Sequence, residues 1–443
     1  MTAAPDPAAP IDLTLLGRTA EVRADGRLYL GGCALDDLAA EFGTPLFVYD
    51  EAELRARCHD YVRNFRGSVA YASKAFLCRA MAKLAAEEGL DIDVASGGEL
   101  HVVLAAGVEP ARIVVHGNNK STDELRAALE AGVKHVVVDS TDELDRIDAL
   151  VTDGGLAAPS VLVRVNPGIE AHTHEYLATG AIDSKFGFPL LDGIAAGAVE
   201  RIVRSGTARF AGLHVHIGSQ IVVRDGFRAA IDRLVALVAD IERRCAVTVD
   251  ELNLGGGLGV RYTAADTAAD IALHAALVQD DLAEALTAVG ARSRPILATE
   301  PGRSIVATAG LTLYRVGTIK SVPGIRTYVS VDGGMSDNPR PALYGAQYEA
   351  FLPNRAAAPR EHVVTIAGKH CEQGDLVVRD AHLPGDVAVG DLLCTPCTGA
   401  YGHSMASNYN RLGRPAVVFV ADGNARLVVR RETFDDLLAT DVG

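Results

Sequence analysis

Several kinds of protein are excluded by what this chain does not have. No apolar run reaches the roughly 18 residues of a membrane span. No stripe of lysine and arginine is present and the formal net charge is −15, so a nucleic acid would find little to displace its counterions. The seven cysteines, Cys33, Cys58, Cys78, Cys245, Cys371, Cys394 and Cys397, are odd in number and scattered. They suit reduced thiols in a cytoplasmic protein better than a disulfide framework. Cys394-Thr395-Pro396-Cys397 has neither a second pair for zinc nor a βαβ setting for redox work, so it reads as strand residues, with no metal site expected. The opening Met1–Pro10 is rich in alanine and proline and lacks the basic start and apolar centre of a signal peptide, so it reads as a floppy terminus. What is left is a chain of 443 residues, 49% hydrophobic and 22% charged, able to bury a large core and longer than one core usually supports.

From residue 69 apolar, β-rich runs alternate with amphipathic stretches. The strand candidates are Val69–Ser73, Asp91–Ala95, Arg112–His116, His135–Asp139, Val161–Asn166, Phe210–His216, Glu251–Leu254 and Pro295–Glu300. Between them lie helical patterns such as Asp225–Arg244, whose Phe227, Ile231, Leu234, Val235, Val238 and Ile241 share one face. Asp123 and Glu124 after Ser121, and Gly132, are start and stop signals of another helix. Eight such units predict a (β/α)8 TIM-like barrel. After Thr308 the pattern changes to strands joined by Gly, Pro and Asp turns: Thr312–Ile319, Thr327–Asp332, His362–Ala367, Asp391–Thr395 and Ala416–Ala421. These predict a mainly antiparallel β-barrel or sandwich domain. The expected division is an N-terminal segment of residues 1–45 packing with the β domain, a barrel over 46–308 and the β domain over 309–443.

A barrel of this kind carries its chemistry at the C-terminal ends of its strands. Those ends hold Lys74, Asp93, His116 with Asn118, Asp139, Arg164 with Asn166, His214 and His216 with Ser219, Gly255-Gly256-Gly257, and Glu300 with Gly302 and Arg303. Loop polarity alone explains Asp139 and Asn118. It explains poorly a lysine, an arginine and two histidines at one rim. Lys74 by itself could be a strand-end lysine whose stem covers apolar surface. In a desolvated mouth its amine would instead suit Schiff-base chemistry with an aldehyde cofactor. The Gly255–Gly257 run could be a tight turn, or a place where backbone N–H groups approach a phosphate. On the next strand Glu300 could face a pyridine nitrogen and keep it protonated.

Five motifs in this order, Tyr71-Ala72-Ser73-Lys74, His214-Val215-His216-Ile217-Gly218-Ser219, Gly255-Gly256-Gly257, Glu300-Pro301-Gly302-Arg303 and Cys371-Glu372-Gln373-Gly374-Asp375, resemble those of the alanine-racemase-like group of PLP enzymes. Within that fold-type III group they resemble the meso-diaminopimelate decarboxylases, over about Phe47–Leu437.

The resemblance implies pyridoxal 5'-phosphate as cofactor, with Lys74 its Schiff-base lysine and Asp93 nearby. His216 would stack on the ring, Ser219 and Gly255–Gly257 would hold the phosphate together with the Pro301-Gly302-Arg303 turn, and Glu300 would pair with the ring nitrogen. Arg303, Arg340 and Tyr344 would bind substrate carboxylate, Glu372 the distal amino group, Cys371 would donate the proton that replaces CO2, and Tyr401 would touch cofactor and substrate. The Cys371 segment would serve the partner's barrel in a homodimer. Gln373 stands where the family usually has serine, which puts the detail of that loop in question. Another amino-acid decarboxylase on the same scaffold, acting on a basic or carrier-bound amino acid, is the nearest rival reading; an inactive paralogue that binds a partner is a remoter one.

Overall fold

The computed structural model describes residues 11–169 and 183–443, so the reading of Met1–Pro10 lies outside the described residues. Two units are present. One comprises Met1–Arg57, Val260–Ala268 and Arg303–Gly443, the other Cys58–Gly259 and Ala269–Gly302. The first long strand, β1 (Leu46–Asp50), falls in the former, although its sequence resembles the strands that follow it.

The second unit is built on β2 (Ala70–Ala72), β3 (Asp91–Val94), β4 (Ile113–Val115), β5 (His135–Val138), β6 (Ser160–Asn166), β7 (Arg209–His214), β8 (Glu251–Asn253) and β9 (Ile296–Ala298). All eight expected strands form, with ends shifted by one or two residues, most of them shorter and two starting one residue earlier, at Ser160 and Arg209. Each pairs in parallel with the next. The last returns to the first: Ala70 N–H donates to Thr299 O at 2.9 Å and Thr299 N–H to Ser68 O at 3.0 Å, which closes the barrel.

Strands covered on both faces need apolar side chains at consecutive positions, and β4 (Ile-Val-Val) and β5 (His-Val-Val-Val) are buried throughout. Val114, Val137, Leu162 and Ala211, from four consecutive strands, pack into one cluster. Outside the strands the helix Asp225–Cys245 buries the six residues expected of it. Helix Thr122–Ala131 starts with a reciprocal Ser121–Glu124 capping box and stops at Gly132, whose φ of 72° is left-handed. These local devices fix where each helix starts and ends, and so where each strand end emerges at the rim.

In the first unit β10 (Gly310–Val322), β11 (Arg326–Val331), β12 (His362–Ala367), β13 (Leu376–Leu383), β14 (Leu392–Thr395), β15 (Ala416–Ala421) and β16 (Asn424–Val429) join β1 in the order β13-β12-β11-β10-β1-β15-β16, with β14 also on β10. Most pairs are antiparallel, but β11–β12 and β1–β15 are parallel. Leu28, Leu30, Leu35 and Leu38 pack with Leu46, Val48, Leu311, Leu313, Val418 and Val420 in its core. Cys394 lies in β14 while Cys397 lies beyond it, in a bend with φ of 57°. Only half of the Cys394–Cys397 pair is strand, which corrects the sequence reading.

Candidate active site

At the ends of the barrel strands one carboxylate is held from three sides. Glu300, just past β9 and 5% exposed, has His116 Nε2 2.9 Å from Oε1 as an ion-pair contact and shares a hydrogen bond with His214 Nε2 at 3.0 Å on Oε2. Asn253 Nδ2 donates to Oε1 at 2.8 Å. Asp93 Oδ1 lies 3.7 Å from His116 Nε2, and the two imidazoles meet edge to face with centroids 4.8 Å apart.

Burial alone would push the Glu300 carboxyl up; the adjacent His116 and His214 outweigh it and hold the group well below the usual range. Burial pushes Asp93 up to about 6, partly offset by His116. The imidazoles diverge. His214 is pushed down to about 4 by burial, whereas in His116 the Asp93 and Glu300 carboxylates overcome burial and raise it. The cluster is thus built to keep Glu300 ionised. His116, His214 and Glu300 offer donor atoms within 4.8 Å of one another, a spacing a metal could use, but here they serve each other.

Lys74 lies in a single 3-10 turn, Ser73–Ala75, directly after β2. Its neighbours Ser73 and Ala75 are buried and the lysine is exposed, so the desolvated amine expected from the sequence is not found in the single chain. Its charge nevertheless reaches the site: His216 is pushed well down by burial first and then by Lys74 and Arg164. His216 is largely buried after β7, and Ser219 is partly buried three residues on.

The glycine run has a reason of its own. A Cβ at Gly255 would lie 2.7 Å from His216 Nδ1 and from Val215 O, and one at Gly257 would lie 2.4 Å from Gly218 O. Gly255 and Gly257 have φ of 66° and 112°. Barrel packing thus accounts for the glycines before any phosphate is considered. Gly256 N–H donates to His216 Nδ1 at 3.3 Å, which fixes that ring. Pro301 and Gly302 are buried, and a Cβ at Gly302 would meet Ala72 O at 2.9 Å.

The remaining expected residues belong to the other unit. Arg303 and Arg340 are 6% and 5% exposed. Arg303 donates to the Tyr262 hydroxyl and lies 4.8 Å from the Tyr401 ring centroid. Arg340 lies 4.5 Å from the Tyr262 centroid and donates to the Tyr348 hydroxyl. Among the described residues Arg340 has no carboxylate partner. Tyr344 ends the short helix Arg340–Tyr344 and is partly buried, but the tyrosine joined to Arg340 is Tyr348. Tyr262 and Tyr348 went unread in the sequence, because a tyrosine beside an arginine in space carries no local pattern.

Cys371, Glu372 and Gln373 are exposed on a loop anchored by the buried Asp375. Asp375 Oδ2 accepts from His370 Nδ1 at 2.7 Å and its Oδ1 from Met335 N–H at 2.7 Å. Cys371 N–H donates to Asn410 Oδ1 at 3.0 Å. The thiol is thus presented outward by a fixed backbone.

The barrel residues fit pyridoxal phosphate. A buried acid kept ionised suits a pyridinium N–H, His214 Nδ1 and Ser73 Oγ are buried polar atoms without a hydrogen-bond partner among the described residues, and an exposed amine follows the first barrel strand. Residues 51–307 match the family model of the pyridoxal-dependent decarboxylases, pyridoxal binding domain. A diaminopimelate decarboxylase from Mycobacterium tuberculosis is 48% identical, over 94% of this chain and 95% of its own. One from Bacillus subtilis is 47% identical, over 96% and 97%. A crystal structure of diaminopimelate decarboxylase from M. jannaschii in co-complex with L-lysine superposes with a TM-score of 0.88 at 34% identity, over 96% of this chain and 98% of that one. With a match of this extent in sequence and fold, and a barrel rim whose residues suit the cofactor, the chain belongs to the diaminopimelate decarboxylases of the pyridoxal-dependent decarboxylase family.

Proposed function

We propose that this protein removes CO2 from meso-2,6-diaminopimelate to give L-lysine, the last step of lysine biosynthesis, with pyridoxal 5'-phosphate as cofactor. The observation that carries the cofactor chemistry is the Glu300 carboxylate, gripped by His116, His214 and Asn253 at 2.8–3.0 Å and held ionised in a buried site. When bound, the cofactor supplies an electron sink for the carbanion left by CO2. Lys74 holds its aldehyde, and His216, Ser219, Gly255–Gly257, Pro301, Gly302 and Tyr401 line it, with Asp93 supporting the Glu300 cluster through His116. Glu300 keeps the ring nitrogen protonated.

On the substrate side, a buried guanidinium with no carboxylate beside it calls for an anionic ligand, since a buried charge left alone is costly. Arg340 meets that description, and a planar fork suits a carboxylate better than an ammonium would. Arg303, Arg340 and Tyr344 receive substrate carboxylate, Glu372 receives the distal ammonium, and the Cys371 thiol delivers the proton to Cα. Purified protein loaded with pyridoxal phosphate should release CO2 from meso-diaminopimelate far faster than from lysine, ornithine or arginine. Lys74→Ala should abolish both the activity and the yellow absorbance of the lysine-bound cofactor. Equal rates on all four amino acids would overturn the substrate assignment, and a colourless wild type would overturn the cofactor role of Lys74.

A homodimer is part of the same reading, supported by the exposed Cys371 loop, which leaves the thiol available to a second copy. Mixing the inactive Lys74→Ala and Cys371→Ala chains should restore about a quarter of wild-type activity if each site draws on both copies; no recovery would argue that each chain works alone. A reducing, cytosolic compartment is supported by seven free thiols. No described helix is long and apolar enough to cross a membrane.

A further inference from the structure

Tyr262, 6% exposed, belongs to Val260–Ala268, a segment that joins the β unit although the chain on either side of it is barrel. Its backbone is pinned locally, because Asp266 Oδ2 accepts from the N–H groups of Tyr262 and Thr263 at 3.0 and 2.9 Å. The ring so fixed is shared by two arginines. Arg340 Cζ lies 4.5 Å and Arg303 Cζ 5.7 Å from its centroid, and Arg303 also donates to its hydroxyl. Tyr348 meets the ring edge to face at 5.3 Å and 81°, and its own hydroxyl accepts from Arg340.

Two guanidiniums repel each other, and both are buried, so something must offset their approach. Phenol rings do so without neutralising the charge. Each guanidinium near a desolvated ring is attracted to its π electrons, and each has a hydroxyl to donate to. A carboxylate beside Arg340 would hold it more tightly, but it would also occupy the donors that a ligand needs. Sharing one ring limits how far the two guanidiniums can drift apart, so both stay aimed at a single anionic group.

We propose that Tyr262 is a specificity-determining positioning residue: it spaces Arg303 and Arg340 so that they converge on the substrate carboxylate remote from the bond that breaks. Lysine and ornithine have no such group. This rests on the reading of the protein as a diaminopimelate decarboxylase, and the test separates the two.

Steady-state kinetics on the loaded enzyme should show Tyr262→Leu raising KM for meso-diaminopimelate by about tenfold or more, as the loss of more than ~1.4 kcal/mol of binding requires, with kcat changed far less. The preference for diaminopimelate over lysine should shrink by a similar factor. Tyr262→Phe, which keeps the ring, should bring KM back to within a few-fold of wild type. An unchanged KM in Tyr262→Leu, a fall confined to kcat, or a Phe variant as impaired as Leu would overturn the proposal. If Tyr262→Leu does not fold, Tyr262→Met takes its place: it fills the same space without an aromatic face, and a KM equal to wild type would count against the proposal. A wild type inactive on meso-diaminopimelate would refute the functional reading itself, which is a distinct outcome.

Discussion

Gly256 and Glu300 meet backbone to backbone: a Cβ on Gly256 would lie 2.2 Å from the carbonyl oxygen of Glu300. Glu300 N–H in turn donates to Gly255 O at 2.8 Å, so the glycine loop and the carboxylate strand are one piece of backbone geometry. Gly256→Ala must push them apart. Overpacking of this kind costs about 1–3 kcal/mol, and the displaced Glu300 should lose its grip on the cofactor ring. Denaturation midpoints with and without pyridoxal phosphate would show both effects, and an unchanged midpoint would mean that the strands can spread freely.

A second prediction concerns Lys120, which lies on the loop after β4 and is 3% exposed. Its Nζ donates to Gly117 O at 2.7 Å, Val137 O at 2.7 Å and Glu143 Oε1 at 2.6 Å. Lys120→Met leaves the buried Glu143 without its counter-ion and should cost about 3–5 kcal/mol. Adding Glu143→Gln should recover part of that loss, because the uncompensated charge is gone. A double variant as unstable as the sum of the two singles would mean that the residues do not act as a pair.

The acid side of the stability profile has a definite sign. Burial pushes His214, His274 and His403 down to about 4 from an ordinary 6.5. Between those values the unfolded chain binds protons that the folded chain refuses, so these groups make stability fall as pH drops from 6.5 towards 4. Asp93, pushed up to about 6, acts in the opposite sense: it favours the folded state at low pH and loses that contribution as pH rises through 6. His274 is the cleanest probe, since it packs on Phe227 at 4.6 Å and burial is the sole cause of its shift. Urea denaturation at pH 7 and pH 5 should show a smaller loss for His274→Leu than for wild type. Equal losses would remove His274 from the account.

Cys371 offers a test of chemistry uncoupled from folding. Its side chain is exposed, so Cys371→Ala should leave the denaturation midpoint and the cofactor absorbance unchanged. Loss of a positioned proton donor should lower kcat by about 10²–10⁴-fold and leave KM near its wild-type value. A variant with full turnover would move the proton donor elsewhere.

Much of the barrel was legible because each of its strands is a short apolar run and each intervening helix has its own period. Lys74, His216 and Glu300 were legible as strand-end residues, because barrel topology dictates where such ends gather. The closure of His116, His214 and Asn253 on Glu300 was not, since it depends on which side chains of four different strands turn inward. The expected start of the barrel at residue 46 took in β1 for a related reason, although the eight strand candidates began only at Val69. Leu46–Asp50 is buried throughout, as a barrel strand would be, and nothing local says that its neighbours are β10 and β15. The β unit's strands Leu376–Leu383 and Asn424–Val429 were missed because their alternation is broken by charged and half-exposed residues. Tyr262 was missed because its partners lie some 40 and 80 residues further along the chain.

The position of β1 bears on biogenesis. One of its neighbours, β10, begins at Gly310 and the other, β15, at Ala416, so Leu-Phe-Val-Tyr-Asp leaves the ribosome hundreds of residues before it can be covered. The barrel segment can fold during that wait, whereas the strand that precedes it cannot be satisfied until β15 has been made. Ribosome-arrested chains ending ahead of Ala416 should therefore be nicked by protease near Leu46–Asp50, and released full-length chains should resist. Protection that arises while β15 is still unmade would show that β1 finds shelter without it.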